Sequence, residues 1–260
     1  MKFVIAVDCE GPAGVVGAPG GSLNDAPAQY EFARHQATAE ASAAARGLFA
    51  AGATQVIIWD THGGGVNLVY EELDERCDIF HGANGGRLSM LDRSFSGLLF
   101  IGYHARDNTL AAPLAHTFSS ARYQWIKING REIGEMTVDA AVAGALGVPV
   151  LFVASDDKAC AELKALLPEV TAVTTKIGYS WNSALSKHPH RVLKEIEAAA
   201  QAAVVNRAKV KPFTLAGPLE VEIRHKRIDT ADEACLPVYG WQRVDAYTVK
   251  RTIKVITDLF

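Results

Sequence analysis

The chain is expected to form an α/β layer fold with a mainly parallel sheet, on two observations. Four short apolar runs rich in β-formers, at 3–7, 54–59, 98–103 and 148–154, each end in polar residues. Between and after them lie stretches of helical length, the longest of them alanine-rich. Strands alternating with helices imply a parallel sheet covered by helices.

Each element has its own signal. Phe3–Val7 reads as a buried strand ending at Asp8, and Gly11-Pro12-Ala13-Gly14 forces a turn. Residues 27–51, opened by Pro27 and closed by Gly52, predict a long helix. Thr54–Trp59 and Leu98–Tyr103 are the second and third strands, ending at Asp60 and His104. Asn129-Gly130 marks a hairpin and Gly134–Leu146 a helix. Val148–Ala154 is a fourth strand, followed by a short helix to Leu167, a strand near 170–174 and a helix over 191–208. Residues 209–218, with Pro212 and Gly217-Pro218, read as a linker. The alternating runs 219–224 and 243–249 form either a small terminal subdomain or the edge of the main one.

Composition excludes several classes. In 260 residues, 49% hydrophobic and 21% charged, there is ample apolar surface for a core, so disorder is excluded. A net charge of -3 without a basic stripe argues against nucleic acid. Cys9, Cys77, Cys160 and Cys235 form no CxxC pair, which suits a reducing compartment. The opening apolar run is broken by Asp8, too early for a signal peptide, and no run is long enough to span a bilayer. A soluble cytoplasmic protein is expected.

Chemistry concentrates at the strand ends, where parallel sheets bind ligands. Asp8 and Glu10, two apart in extended chain, share a face. Carboxylates held together repel unless a proton or cation lies between them. Asp60 and His62 repeat the arrangement. His62-Gly63-Gly64-Gly65 mimics a hydrolase oxyanion loop, but the chain has no G-x-S-x-G elbow, which argues against a serine hydrolase. Gly11, Gly14 and Gly17 lack dinucleotide-loop spacing, and there is no Walker motif. His104 is a candidate ligand, and Arg106 could hold an anion. His116 is open between ligand, acid/base group and core histidine. Glu135 opens a helix with Asp139 one turn on. Histidines and carboxylates without thiolates suit zinc or manganese in a hydrolytic site of one or two metals.

Taken together, Val7-Asp8-Cys9-Glu10-Gly11, Asp60-Thr61-His62, Gly102-Tyr103-His104-Ala105-Arg106, Ala115-His116-Thr117 and the Asn129-Gly130…Gly134-Glu135 stretch resemble the D-aminopeptidase family of zinc peptidases. The likeness continues through 147–157 and covers roughly the first 210 residues. It implies a binuclear zinc centre with Asp8 bridging the ions and Glu10, His62, His104 and Glu135 as the other ligands. It makes His116 catalytic and not a ligand. The implied activity is release of N-terminal D-residues such as D-Ala from short peptides with a free N-terminus. The implied assembly is a decamer of two stacked pentameric rings. The fold becomes a three-layer, Rossmann-like sheet that binds no nucleotide, with 1–210 as the metal-binding catalytic domain and 211–260 as a small C-terminal α/β subdomain or extension. Glu10 and Asp139 are candidates to read the substrate amine. The stretch 176–182 departs from the family pattern, Trp181 standing where a basic residue is usual, and is expected to shape the pocket. The alternatives are a metal-dependent amidohydrolase on another amide or cell-wall-type peptide without strict D-selectivity, and a non-catalytic metal-binding ring protein.

Overall fold

A computed structural model describes residues 1–82 and 86–259. The first strand, β1 (Lys2–Val7), is followed by α1 (Pro27–Ala50), β2 (Gln55–Asp60), β3 (Asp78–Phe80) and β4 (Gly97–Ile101). Next come the hairpin β5 (Tyr123–Ile128) and β6 (Arg131–Ile133), then α2 (Glu135–Ala145), β7 (Val150–Asp156), α3 (Asp157–Leu166), β8 (Thr171–Ser180) and β9 (Ser183–Ser186). The chain finishes with α4 (Pro189–Asn206), β10 (Leu219–His225), α5 (Ile228–Ala234), β11 (Gln242–Arg243) and β12 (Thr248–Ile253).

The fold is mixed α/β with two sheets. One has seven strands in the order β3-β2-β1-β4-β7-β8-β9, parallel except for β9. The other has five antiparallel strands in the order β11-β12-β10-β5-β6, drawing from both sides of residue 210. The central strands of the parallel sheet are apolar on both faces. Phe3, Ile5, Val7, Val56 and Ile58 pack with α1 and α4, while Val4, Ala6, Leu98 and Phe100 pack with α2, α3 and the antiparallel sheet. Each such side chain taken from water contributes about 1.5–3 kcal/mol. Alanine along α1 lets α4 approach closely: a Cβ at Gly47 would lie 2.3 Å from the Glu197 carbonyl.

Sequence-expected elements fall within a few residues of the observed ones, with one correction. The alternating run 243–249 is not one strand. Asp245 accepts hydrogen bonds from the Tyr247 and Thr248 amides, a local turn that splits the run, and the strand lies at 248–253. The small elements β3, β9 and α5 carried too short a pattern to be read.

One buried acid of α1 braces the loop after β1. Glu40 accepts hydrogen bonds from the Ala13 amide (2.9 Å) and Gln36 (2.8 Å). Burial pushes its pKa up to about 7, against these bonds and the nearby Lys176 charge. Between about 4.5 and 7 the unfolded carboxyl has lost its proton while the folded one keeps it, so this group's contribution to stability falls as pH rises through that window. Relative to the parent, Glu40→Gln should therefore gain on the order of 3 kcal/mol between pH 4.5 and 8. Urea unfolding at both pH values checks it; a pH-independent difference would show that Glu40 titrates alike folded and unfolded.

Candidate metal centre

β1 lies between β2 and β4 in the sheet, so the chain leaves it on one side and later returns on the other. Ligand sites form at such a switch, outside the carboxyl ends of the strands. Asp8 directly follows β1, His62 lies two residues past β2, His104 three past β4, and Glu135 opens α2. The backbone is tightly drawn here. Gly102 has φ +71°, and a Cβ on it would lie 2.1 Å from the Asp8 carbonyl, so the end of β4 comes this near only as glycine.

The five side chains converge. His62 Nδ1 lies 2.9 Å from Asp8 Oδ1 and 3.2 Å from Glu10 Oε2. His104 Nε2 lies 3.6 Å from Asp8 Oδ2 and 3.3 Å from Glu135 Oε1. Asp8 thus offers one oxygen to each imidazole. His104 Nδ1 donates to the Ala105 carbonyl at 3.0 Å, which turns Nε2 towards the acids. Glu10 Oε2 and His104 Nε2 are buried with no hydrogen-bond partner among the described residues. Ligand atoms of Asp8, Glu10 and His104 lie within 4.8 Å of one another, as do those of His104, His116 and Glu135.

Electrostatics explain the arrangement. Burial opposes ionisation of Asp8, yet the hydrogen bond and charge of His62, with the charge of His104, hold its carboxyl far below the usual range. Burial likewise opposes Glu135, and His104 brings it down to about 2. His104 is pushed up to about 10: burial works against its charge, but Glu135 and Asp8 prevail. His62 moves well above its ordinary value because Glu10 and Asp8 overcome its burial. The site therefore retains anionic carboxylates and demands positive charge. Two orphaned donor atoms and a nitrogen and oxygen donor set without thiolate fit a hard or borderline divalent cation.

His116 sits beside this cluster, stacked on His104 at a centroid distance of 3.8 Å. Its Nδ1 donates to the Leu114 carbonyl (2.9 Å), and its Nε2 is 4.0 Å from Glu135 Oε1. Burial and the His104 charge lower its pKa, so near neutral pH it is an uncharged base. The loop bearing it takes left-handed conformations at Leu114 (φ 51°) and Phe118 (φ 57°). Trp181 secures that loop: its indole donates to the Ala115 carbonyl (3.1 Å), and its own carbonyl accepts from the Leu114 amide (2.8 Å). The expectation that 176–182 shapes the pocket is met there, since Trp181 lines the cavity.

Several other sequence candidates serve structure instead. Asp60 accepts from the Asn67 and Leu68 amides and the Asn67 side chain, tying down the glycine loop. Asp139 is wholly buried, held by Arg87 in a forked pair at 2.6 and 2.7 Å and by Tyr103 at 2.7 Å, and so is not open to an amine. Arg106 pairs with Glu162 at 3.3 Å and Glu132 at 3.8 Å, protein carboxylates, not a ligand's.

One contributor escaped sequence reading. Lys176 on β8 is fully buried, and its ammonium donates to the carbonyls of Glu10, Pro12 and Val15 at 2.5, 2.9 and 2.6 Å. The neighbouring Thr175 hydroxyl takes the Gly11 carbonyl at 2.8 Å. Pairing between β7 and β8 slips here, Ser155 facing Thr174 and Asp156 facing Lys176. Such a bulge re-aims side chains, and both residues reach the loop that carries Glu10. Only a lysine between a polar and a β-branched residue was visible in sequence.

A cavity of about 430 Å³ opens on the cluster, lined by Asp8, Glu10, His62, His116 and Glu135. Its size suits a small ligand. A cation-demanding acid and imidazole cluster with a neutral base beside it, in a concave site, defines a metal-dependent hydrolase. A family model described as D-aminopeptidase matches residues 1–260. The D-aminopeptidase of Bacillus subtilis (strain 168) is 34% identical over 217 residues, 82% of this chain and 77% of that protein. The solved structure of the Zn-dependent D-aminopeptidase DppA from Bacillus subtilis, described as a self-compartmentalizing protease, superposes with a TM-score of 0.89 at 30% identity, covering 99% of this chain and 93% of that one. This chain belongs to the D-aminopeptidase family.

The Lys176 clamp has a measurable consequence. Lys176→Met should cost roughly 3 kcal/mol or more, because three buried carbonyls lose their donor. Chemical denaturation measures this; an unchanged midpoint would mean that those carbonyls find other donors.

Proposed function

We propose that this protein is a zinc-dependent D-aminopeptidase that hydrolyses the N-terminal residue of short peptides, with two ions per subunit. The observation carrying this reading is the convergence of Asp8, Glu10, His62, His104 and Glu135, with Glu10 Oε2 and His104 Nε2 buried and making no hydrogen bond among the described residues. In it those five residues would hold the metal, Asp8 shared between the two ions, and manganese is the other ion the donor set admits. A divalent pair there supplies Lewis acidity and lowers the pKa of water.

The chain's own groups do the rest. His116 is catalytic: Nδ1 is occupied by the Leu114 carbonyl, so Nε2 is the atom that takes a proton and returns it to the leaving amine. The depressed pKa keeps it ready as a base. With Asp139 committed to Arg87, Glu10 is the acid remaining from the two amine candidates. The parallel sheet is read as Rossmann-like and three-layered, supported by the order β3-β2-β1-β4. All six site residues precede residue 210, which supports residues 1–210 as the catalytic domain and 211–260 as a small extension. A closed homo-oligomer, a decamer, belongs to this reading, and the relative described as self-compartmentalizing supports assembly. Among the described residues no helix is long and apolar enough to cross a membrane, and a cytoplasmic location accompanies this reading.

Three measurements bear on it. Asp8→Asn should empty both metal positions, since a bridging anion becomes a neutral amide; full loading with unchanged turnover would remove the assignment. His116→Ala should lower kcat by ~10²-fold or more at near-parental metal content. Lost metal instead would make His116 a ligand, as its grouping with His104 and Glu135 permits. On metal-loaded protein, D-Ala-D-Ala should be cleaved faster than both its N-acetylated form and L-Ala-L-Ala. Preference for the acetylated peptide would defeat the aminopeptidase reading, and equal D and L rates would favour a less selective amidohydrolase.

A further inference from the structure

Among the described residues, Arg87 is the one arginine or lysine lining the cavity, opposite in sign to Asp8, Glu10 and Glu135, which line it too. Its guanidinium is held rigidly. Nε and Nη2 form a forked pair with Asp139 at 2.6 and 2.7 Å, and Tyr103 donates to the same carboxylate at 2.7 Å. The Trp59 and Phe118 rings each lie 5.2 Å from the guanidinium carbon. A guanidinium has five N–H donors in two usable edges. Asp139 takes the side edge, so the end edge, Nη1 with the second hydrogen of Nη2, has no hydrogen-bond partner among the described residues. The side chain is 18% exposed, and Ser119 and Ser120 line the cavity with it.

We infer that this end edge of Arg87 binds the C-terminal carboxylate of the substrate, making the free-acid dipeptide the favoured length. The inference rests on the short-peptide reading above. A dipeptide carries an ammonium at one end and a carboxylate at the other, and the cavity carries acids and a fixed guanidinium. Spacing agrees. Asp139, which holds Arg87, follows Glu135 by four residues, about 6 Å along the helix axis. In a dipeptide one residue, about 3.8 Å of chain, separates the scissile carbonyl from the terminal carboxylate, leaving room for a hydrogen bond to Arg87. A fork from Arg to carboxylate is strong and directional, and the buried Asp139 prepays its orientation.

The test compares D-Ala-D-Ala with its C-terminal amide on metal-loaded enzyme. The parent should prefer the free acid in kcat/KM by about tenfold or more. In Arg87→Met, and in Arg87→Met with Asp139→Asn, that ratio should fall towards one. The double variant removes both charges, so no buried carboxylate is stranded if the single variant folds poorly. Near-parental circular dichroism is the fold check. A parent without preference for the acid, or a ratio that survives in the folded double variant, overturns the role of Arg87. Hydrolysis of neither peptide by the parent would instead overturn the aminopeptidase reading, and this inference with it.

Discussion

Three carboxylates, two from the loop after β1 and one from the start of α2, meet in a buried space, and the protein interior cannot hold that much like charge unneutralised. Most of the site answers this constraint. Two imidazoles stand between the acids, each within 4 Å of two carboxylates. The field that raises His62 and His104 is the field that would hold a divalent cation in the proton's place. His104 has its other nitrogen committed to a backbone carbonyl, which turns Nε2 towards the acids.

Holding the acids in place requires a second set of interactions. The loop after β1 has no regular structure, and its carbonyls would be costly to bury unpaired. Lys176 and Thr175 satisfy four of them from β8, while Glu40 binds the Ala13 amide from α1. The loop is thus held from the sheet on one side and from the long helix on the other. Backbone approach at Gly102 completes the frame by letting the end of β4 lie against Asp8. The acid and imidazole cluster sits on backbone that has few other places to go.

The base beside the cluster is positioned by different means. Its loop adopts left-handed backbone at residues with side chains, a conformation that costs about 1–3 kcal/mol each and survives only where surroundings enforce it. Trp181 does the enforcing at Leu114 and Ala115 through two hydrogen bonds. A basic residue could not replace the indole there without changing both the donor geometry and the apolar wall of the cavity. Arg87, flanked by the Trp59 and Phe118 rings, also lines the cavity, so the cavity presents both signs of charge.

Much of this was legible in sequence because it depends on local pattern. Apolar runs ending in acid or histidine mark strands and the residues at their carboxyl ends, and Asn129-Gly130 marks a turn that needs positive φ at two successive residues. Asp8, Glu10, His62 and His104 were readable as chemistry for that reason, while Glu135 and His116 took their roles from the family resemblance. Pairwise partners were not. Asp60 looks like part of the site in sequence and Asp139 like a partner for the substrate amine, and only the fold shows their oxygens taken by Asn67 and by Arg87 with Tyr103. Lys176 and Arg87 carry no local signature, since a lysine in a strand and an arginine after glycines are ordinary surface patterns. Their roles come from contacts 161–166 residues apart for Lys176 and 52 for Arg87. The sequence by itself determined which residues can bear charge or bind a metal, because that is covalent chemistry. Which of them face one another was decided only by the tertiary structure, because desolvation and hydrogen-bond pairing exist only once distant segments are packed together.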